Sequence, residues 1–308
     1  MCFSAETWTD YRKYVREFGA AIDVHEFVRI YGGRRKDGSK IPKGMDAAFA
    51  TPTSELEREI KGLIEQFNDE QLSKLEQELF KQVKRLADAE RTLLTKTTQK
   101  ALNDQRVAGN KVSQIKTKIS AIKRTDIKDR DNRIFPLVYA PVLIIENGQR
   151  IVRPMRYQCR LAGKPATYDV DYNGTYNARR NNLEGFWRKE FGRQHGLIVA
   201  TTFYENVEAP DGKNQVLKFT PKTGEPMLIA CLWSHWKGQG DQPDLHSFAA
   251  ITDEPEPEVA AAGHDRTIIN IKPEHIDAWL NPDPTNLGAL YAIFDDKAHP
   301  YYEHQLAA

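Results

Sequence analysis

The spacing of apolar residues divides the chain into three parts. In the first part, apolar residues from Trp8 to Phe27 recur at steps of three and four, which predicts one or two short helices. Gly32-Gly33 is expected to stop them, because adjacent glycines favour a helix end. The segment from Arg34 to Thr53 contains Gly, Pro and Lys without periodicity.

The second part is a long stretch with a heptad-like pattern. Thr51-Pro52-Thr53-Ser54, followed by two glutamates, is typical of a helix N-cap with acids in the first turn. Ala108-Gly109-Asn110 indicates the end of that helix, and a second helix is expected from Val112. We therefore expect an antiparallel helical hairpin over residues 54–125. The apolar positions that predict its packing seam are Leu56, Ile60, Leu63, Phe67, Leu72, Leu75, Leu79, Leu86, Ala89 and Leu93.

The third part, after Arg133, is rich in β-forming residues. The apolar run from Phe135 to Ile145 is closed by Asn147-Gly148, a pair that favours a tight hairpin turn before the next strand. Helices are expected around Leu183 to Phe191 and after Pro273. The pattern predicts an α+β, β-rich body with flanking helices. Its further strands are expected at Gly196 to Tyr204, Pro226 to Trp233, Ser247 to Thr252 and Thr267 to Ile271.

Composition is that of an ordinary globular protein. Apolar residues make up 40% and charged residues 28% of the 308 residues, and no apolar run is long enough to predict a membrane span. The first residues lack the pattern of a secretory signal, so we expect a cytoplasmic protein. Cys2, Cys159 and Cys231 have unrelated spacings, which fit neither a disulfide framework nor a structural zinc site.

Charge gives only a local indication of a partner. The net charge of +1 offers no general argument for nucleic acid. From Lys96 to Arg124, however, eight basic residues stand against Asp104 as the one acid. This basic strip is interpreted either as a solvated face of the hairpin or as an extra contact to a DNA backbone or a partner helix.

Cys2 is the candidate nucleophile because it directly follows the initiator methionine. That methionine is normally removed before a small residue, which would leave a free amine beside a thiol. An α-amine, with a pKa of about 7.7–8.0, condenses with an aldehyde to an imine, and the thiol then closes a thiazolidine ring. The alternative is that Cys2 is an incidental small residue. Cys159 and Cys231 lie in apolar strands and are expected to be inert.

Several segments resemble the SRAP family, the SOS-response-associated peptidase fold whose members capture abasic sites. The resemblance covers residues 1–30 and 131–308. It implies one SRAP domain over residues 1–308 with a β-rich, barrel-like fold, in which the hairpin of residues 54–125 is an insertion. The segments that carry it, in chain order, are Met1-Cys2, Tyr176-Asn177-Ala178-Arg179, Leu197 to Glu205, Ala230 to Trp233, Ser247 to Thr252 and Gly263 to Ile269.

The resemblance also implies the roles of individual residues. Asn177 would hydrogen-bond the reacting terminus or the opened sugar, Glu205 would relay protons, and His264 would protonate the sugar ring oxygen or handle the leaving phosphate. Their ordinary interpretations are a turn residue, a solvated strand-end glutamate and a satisfied histidine. With Cys2 these three form the expected catalytic set. The residues expected to contact DNA are Arg179, Arg156, Tyr157 and Arg266, although Arg266 is also interpreted as a brace of the core.

The expected activity is a covalent thiazolidine crosslink between Cys2 and an abasic site in single-stranded DNA. Strand cleavage by β-elimination and reversal of the crosslink are further expectations. No metal or organic cofactor is implied, and the cytoplasmic protein would be nucleoid-associated when bound to DNA. Phe3-Ser4 stands where the family usually has Gly-Arg, so a phosphate contact is missing or moved.

Two alternatives stay open. One is a cysteine peptidase with Cys2 as its nucleophile, which would remove its own leader. The other is a non-enzymatic nucleic-acid-binding module that works through the basic hairpin.

Overall fold

The computed structural model describes residues 4–209 and 211–307, apart from the side chain of Val170. The chain forms two compact units. The larger unit combines the chain up to Glu57 with the chain from Lys128 onward, and the smaller unit is Arg58–Ile127. Across the described ranges, no helix is both long and apolar enough to cross a membrane.

Strands form most of the larger unit, and helices flank them. The strands are β1 (Ser4–Thr7), β2 (Ala21–Ile22), β3 (Arg133–Ile134), β4 (Tyr139–Glu146), β5 (Gln149–Tyr157), β6 (Asn177–Arg179), β7 (His195–Glu208), β8 (Asn214–Pro221), β9 (Met227–Trp236), β10 (Leu245–Asp253), β11 (Thr267–Ile268) and β12 (Tyr302–Leu306). The helices are α1 (Tyr11–Phe18), α2 (Val24–Asp37), α3 (Lys43–Ala47), α4 (Glu55–Thr95), α5 (Gln99–Lys123), α6 (Tyr168–Asp171), α7 (Pro257–Ala261), α8 (Ile276–Leu280) and α9 (Leu287–Asp295).

Five strands pair in a cycle that brings the sheet nearly into a ring. β5 pairs with β4, β4 with β7, β7 with β9, β9 with β10, and β10 returns to β5 in parallel. The link between β4 and β7 is a single residue pair, Leu143 and Leu197. The remaining strands extend this mixed sheet. The predicted α+β, β-rich class is confirmed.

Tyr14 of α1 extends the link between β4 and β7. Its hydroxyl accepts a hydrogen bond from the Val199 N–H at 3.0 Å and donates one to the Pro141 carbonyl at 3.3 Å. In the antiparallel register set by Leu143 and Leu197, these two residues face each other next, but Pro141 has no N–H to donate. The buried hydroxyl therefore takes the place of a backbone hydrogen bond in the sheet.

The core lies against this ring of strands. Val142, Ile198, Phe203, Phe219 and Phe248 are buried in one apolar cluster. The rings of Phe203 and Phe219 stack with centroids 5.0 Å apart. Phe203 lies on β7, two residues before Glu205, so the same strand that packs the core also carries a candidate catalytic residue.

The smaller unit is a helical hairpin. α4 and α5 run antiparallel, because Arg85 pairs with Asp104 and Lys123 pairs with Glu76. Its predicted turn is wrong: α5 continues through Gly109, and the turn lies at residues 96–98. A glycine inside a helix costs only about 1 kcal/mol. The burial of apolar side chains along the seam offsets that cost, and these include Ala89, Ala101, Ala108 and Ile115.

Two other predicted helix boundaries are wrong. α2 continues through Gly32-Gly33 and ends at Gly38, whose φ of 69° is the left-handed conformation that a helix C-cap requires. Leu183 to Phe191 forms successive turns and no α-helix. Asn182 accepts the Phe186 N–H with its side chain at 3.1 Å, which competes with helical hydrogen bonding.

The strand predictions are confirmed, with ends shifted by a few residues. Asn147 and Gly148 have φ angles of 52° and 75°, as the predicted tight turn between β4 and β5 requires. The predicted helix after Pro273 is confirmed as a short 3-10 turn followed by α8. The edge strand β12 and the helix α9 are additional elements that the sequence pattern did not indicate.

Candidate active site

Glu205 and His264 form a buried acid–imidazole pair. The Glu205 carboxylate oxygen Oε2 lies 3.2 Å from His264 Nε2. The Glu205 side chain is fully buried, and the His264 side chain is 7% exposed. β7 carries Glu205, whereas His264 follows α7, so two elements distant in sequence supply the pair. The geometry allows a proton to pass directly between a carboxyl group and an imidazole.

Burial sets the protonation of this pair. It raises the pKa of Glu205 to about 8 and lowers the pKa of His264. His264 Nδ1 lies 2.8 Å from the Arg266 carbonyl and 3.3 Å from the Arg266 backbone nitrogen, and the shorter contact favours a proton on Nδ1 that is donated to the carbonyl. Nε2 is then the acceptor that faces Glu205. At neutral pH both shifts favour the neutral forms, a carboxylic acid beside an imidazole.

The loop before His264 sets the position of its ring. Gly263 has a φ of 93°, a left-handed conformation that only glycine adopts readily. The His264 backbone N–H donates to the Val259 carbonyl of α7 at 3.2 Å. The conformation of Gly263 and the hydrogen bond to Val259 hold the backbone of His264, and the contact of Nδ1 with the Arg266 carbonyl holds its ring.

Asn177 is buried at the start of β6, beside Ala250 of β10. The Tyr157 hydroxyl donates to the Asn177 side-chain oxygen at 3.4 Å. The Tyr157 ring is itself buried and stacks on Phe248, with centroids 5.2 Å apart. Among the described residues, these contacts join Asn177 to Tyr157 and not to Glu205.

The described chain begins beside Glu205. Ser4, the first described residue, pairs with Tyr204 in the antiparallel ladder between β1 and β7. Arg133 donates to the Ser4 hydroxyl from Nε at 3.0 Å and from Nη2 at 2.8 Å. The Arg133 guanidinium also lies over the Tyr204 ring, 3.4 Å from its centroid. Arg133 thus fixes the start of β1 against the strand segment that carries Glu205.

The profile of one protein family, SOS response associated peptidase (SRAP), matches residues 91–305. The chain belongs to the SRAP family. The match includes Asn177, Glu205 and His264 and begins within α4, so it excludes Cys2. No curated protein matches the chain.

Three solved structures similar to this SRAP-family chain come from Bordetella bronchiseptica and Bacteroides thetaiotaomicron. A protein from Bordetella bronchiseptica is 19% identical, with a TM-score of 0.47 over 57% of this chain and 87% of its own. A protein from Bacteroides thetaiotaomicron is 11% identical, with a TM-score of 0.48 over 57% of this chain and 77% of its own. A phage-related protein from Bordetella bronchiseptica is 18% identical, with a TM-score of 0.42 over 57% of this chain and 80% of its own.

The structure brings two of the four expected catalytic residues of this SRAP domain into contact. Glu205 and His264 form the pair, while Asn177 is buried beside Tyr157. Cys2 lies outside the described residues. The catalytic roles of all four remain predictions.

The expected DNA-contacting residues have different surroundings. Arg156 binds the Asp169 carboxylate, and Arg266 approaches Glu254 at 3.4 Å, so both guanidinium groups have acidic partners. Tyr157 is part of the core. Arg179 is half-buried, and its guanidinium forms no hydrogen bond or ion pair with the residues that the structure describes. Of the four, Arg179 is therefore the one whose guanidinium is available to a phosphate group.

Arg133 is the residue of this region that sequence reasoning missed. It begins a two-residue strand after the basic hairpin, where no periodicity marks it. A possible signal was the loss of the family arginine at Phe3-Ser4, but sequence alone does not say which other arginine lies near Ser4.

No group of described residues could hold a metal ion.

Proposed function

We propose that this SRAP-family chain captures abasic sites in single-stranded DNA by a covalent crosslink to Cys2. The observation that carries the proposal is the buried Glu205–His264 pair, because a dry carboxylic acid beside an imidazole suits stepwise proton transfer. The start of β1 at Ser4, two residues after Cys2 in sequence, lies beside Tyr204 and supports the choice of Cys2.

The crosslinking step would join the mature terminus to the ring-opened deoxyribose. The α-amine of Cys2 attacks the aldehyde carbon, a C–N bond forms, and the carbonyl oxygen leaves as water after it accepts two protons. The Cys2 sulfur then attacks the same carbon, and a C–S bond closes the thiazolidine. The amine and the thiol supply the two protons, so the step needs neither oxidant nor reductant.

Glu205 would act in both directions of proton transfer. As a neutral acid, which its pKa of about 8 allows at neutral pH, it protonates the departing hydroxyl of the carbinolamine. As the resulting carboxylate, it accepts the thiol proton during ring closure. His264 would keep the proton within reach through Nε2, and it would also protonate the sugar ring oxygen when the deoxyribose opens.

Phosphate groups next to the lesion would bind Arg179. Its half-buried guanidinium lacks an acidic partner among the described residues, and it stands on β6, two residues after Asn177. The same imine could lose the 3′ phosphate by β-elimination, which is how strand cleavage would occur. Reversal of the crosslink would use the same proton transfers in the opposite order.

A denaturing gel tests the proposal. Purified protein mixed with a single-stranded oligonucleotide that contains one abasic site should give a protein–DNA band that survives heat and detergent. Cys2→Ala should abolish the band, and Glu205→Gln should slow its appearance about a hundredfold or more. An oligonucleotide without the abasic site is the matched control. If wild-type protein forms no stable band, or if an intact mass shows that Met1 is retained, the proposed chemistry is wrong.

A peptidase is the second candidate, because the matched family is described as a peptidase and the Glu205–His264 pair could equally serve a cysteine nucleophile. A short peptide added before Cys2 separates the two. The peptidase predicts that wild-type protein removes the added peptide, whereas Cys2→Ala and Glu205→Gln keep it. Intact mass measures the removal without any DNA.

A further inference from the structure

The helical hairpin carries a strong asymmetry of charge along its length. From Arg58 to Phe80, six acidic residues stand against three basic ones. From Lys81 to Arg124, twelve basic residues stand against three acidic ones. Because residues 96–98 form the turn, the two helices place their basic halves side by side at the turn end of the hairpin.

A cleft between α4 and α5 concentrates this positive charge. It has a volume of about 540 Å³, and Lys81, Lys84, Arg85 and Lys100 line it. Its two acids are already paired, half-buried Asp104 with Arg85 and exposed Asp88 with Arg91. Lys81, Lys84 and Lys100 are exposed and form no ion pair with the described residues. Three ammonium groups are thus left for an anionic partner.

The apolar faces of the two helices argue against a membrane as that partner. A helix that lies on a membrane needs a continuous apolar face toward the lipid. In this hairpin the apolar seam is packed between the helices, with Ala89, Ala101 and Ala108 buried near the turn end. Val83, Leu94 and Leu102 are exposed there, but they are scattered among charged and neutral polar residues and form no continuous apolar face, which suits a polyanion in water.

The absence of aromatic residues indicates which polyanion fits. No Phe, Tyr, Trp or His occurs from Lys81 to Arg124. Proteins that hold single strands normally stack bases on aromatic side chains, whereas sequence-independent binding of a duplex rests on contacts to its phosphates. The α4 side of the cleft, from Lys81 to Thr92, is about 16 Å long at the helical rise, and a duplex presents about nine phosphates over that length.

We propose that the turn end of the hairpin is a binding surface for the backbone of double-stranded nucleic acid. Lys81, Lys84 and Lys100 bind phosphates without reading the base sequence, and the Arg85–Asp104 pair holds the two helices at the spacing of the cleft. This surface is independent of the covalent chemistry proposed for Cys2. It would give the protein affinity for duplex that contains no lesion.

Fluorescence anisotropy with an intact 20-base-pair duplex tests this proposal. The full-length wild-type protein should bind, and its affinity should fall steeply as salt rises. The triple variant Lys81→Gln, Lys84→Gln, Lys100→Gln should bind at least about tenfold more weakly. The slope of the logarithm of its binding constant against the logarithm of the salt concentration should be smaller in magnitude by about two to three. Cys2→Ala should bind the duplex as wild type does, which separates this surface from the crosslinking site.

The matched control removes the same charge from the larger unit through Lys189→Gln, Lys213→Gln and Lys237→Gln, three exposed lysines. It should bind duplex within about twofold of wild type. Circular dichroism of both triple variants checks that the helices persist. The proposal is wrong if the two triple variants lose affinity equally or if the wild-type protein does not bind the duplex. It is also wrong if the wild-type protein binds the same oligonucleotide as a single strand, or anionic vesicles, more tightly than the duplex.

Discussion

At the residue scale, Glu205 differs from an ordinary glutamate because its side chain is fully buried next to His264. The sequence placed it at the end of an apolar strand. It could not indicate full burial or the contact with His264, because that contact joins residues far apart in sequence. The motif resemblance named both residues, and only the fold shows that they touch.

The raised pKa of Glu205 predicts a pH dependence of stability. Between its ordinary value of 4.5 and its folded value of about 8, the folded protein keeps a proton that the unfolded chain has lost. The contribution of Glu205 to the free energy of unfolding should therefore fall as pH rises through this range, by up to about 1.4 kcal/mol per pH unit. Glu205→Gln should remove this contribution, because glutamine does not titrate.

Urea unfolding at several pH values between 5 and 9 measures this difference. Glu208→Gln, which changes an exposed glutamate on the same strand, is the control and should keep the wild-type slope. The same loss of stability with pH in wild type and Glu205→Gln would show that Glu205 is not the titrating group.

At the element scale, the link between β4 and β7 depends on a side chain from a helix. The Leu143–Leu197 pair and the Tyr14 hydroxyl together join these strands. The sequence pattern predicted both strands and the helical character of the segment around Tyr14. It did not predict the bridge, because apolar periodicity treats a tyrosine as a ring to be buried and gives no information about its hydroxyl.

Tyr14→Phe should destabilise the protein by about 1–3 kcal/mol. The variant keeps the buried ring but leaves the Val199 N–H and the Pro141 carbonyl without their partner. Thermal or urea unfolding measures the loss. Tyr172→Phe, at an exposed tyrosine, should change stability by less than about 0.5 kcal/mol. A Tyr14→Phe variant as stable as this control would contradict the bridging role.

The glycines show why helix ends were the weakest sequence predictions. Gly32-Gly33 and Gly109 lie inside helices, whereas Gly38 caps one. All are the same residue type, and a local pattern cannot tell a tolerated helical glycine from a C-cap. The distinction comes from packing: Ala108, next to Gly109, is fully buried in the hairpin seam.

At the scale of the whole molecule, the two units differ in how much apolar surface they bury. The larger unit packs a cluster of aromatic and aliphatic side chains against its ring of strands. The hairpin buries mainly alanines and isoleucines along one seam, and Phe80 and Leu94 are 74% and 87% exposed. Local opening should therefore need less free energy in the hairpin than in the ring.

Hydrogen exchange followed by mass spectrometry tests this expectation. Backbone amides of α4 and α5 between residues 58 and 123 should exchange at least about tenfold faster than the paired amides of β7 and β9. Peptides that cover α9 and β10 provide an internal comparison of exchange rates between a helix and a strand of the larger unit. Equal protection of α5 and β9 would show that the hairpin and the ring open together.

The parallel pairing of β5 with β10 has a consequence for how the chain folds during synthesis. Arg156 and its partner Ser247 are about ninety residues apart, so β5 emerges from the ribosome well before the strand that covers it. At about 5–20 residues per second, that interval is roughly 5 to 20 seconds. Over this time β2 can already pair with β5 at Ile151 and Val152, but the end of β5 at Arg156 and Tyr157 has an open edge, which exposes it to misassociation and to chaperones.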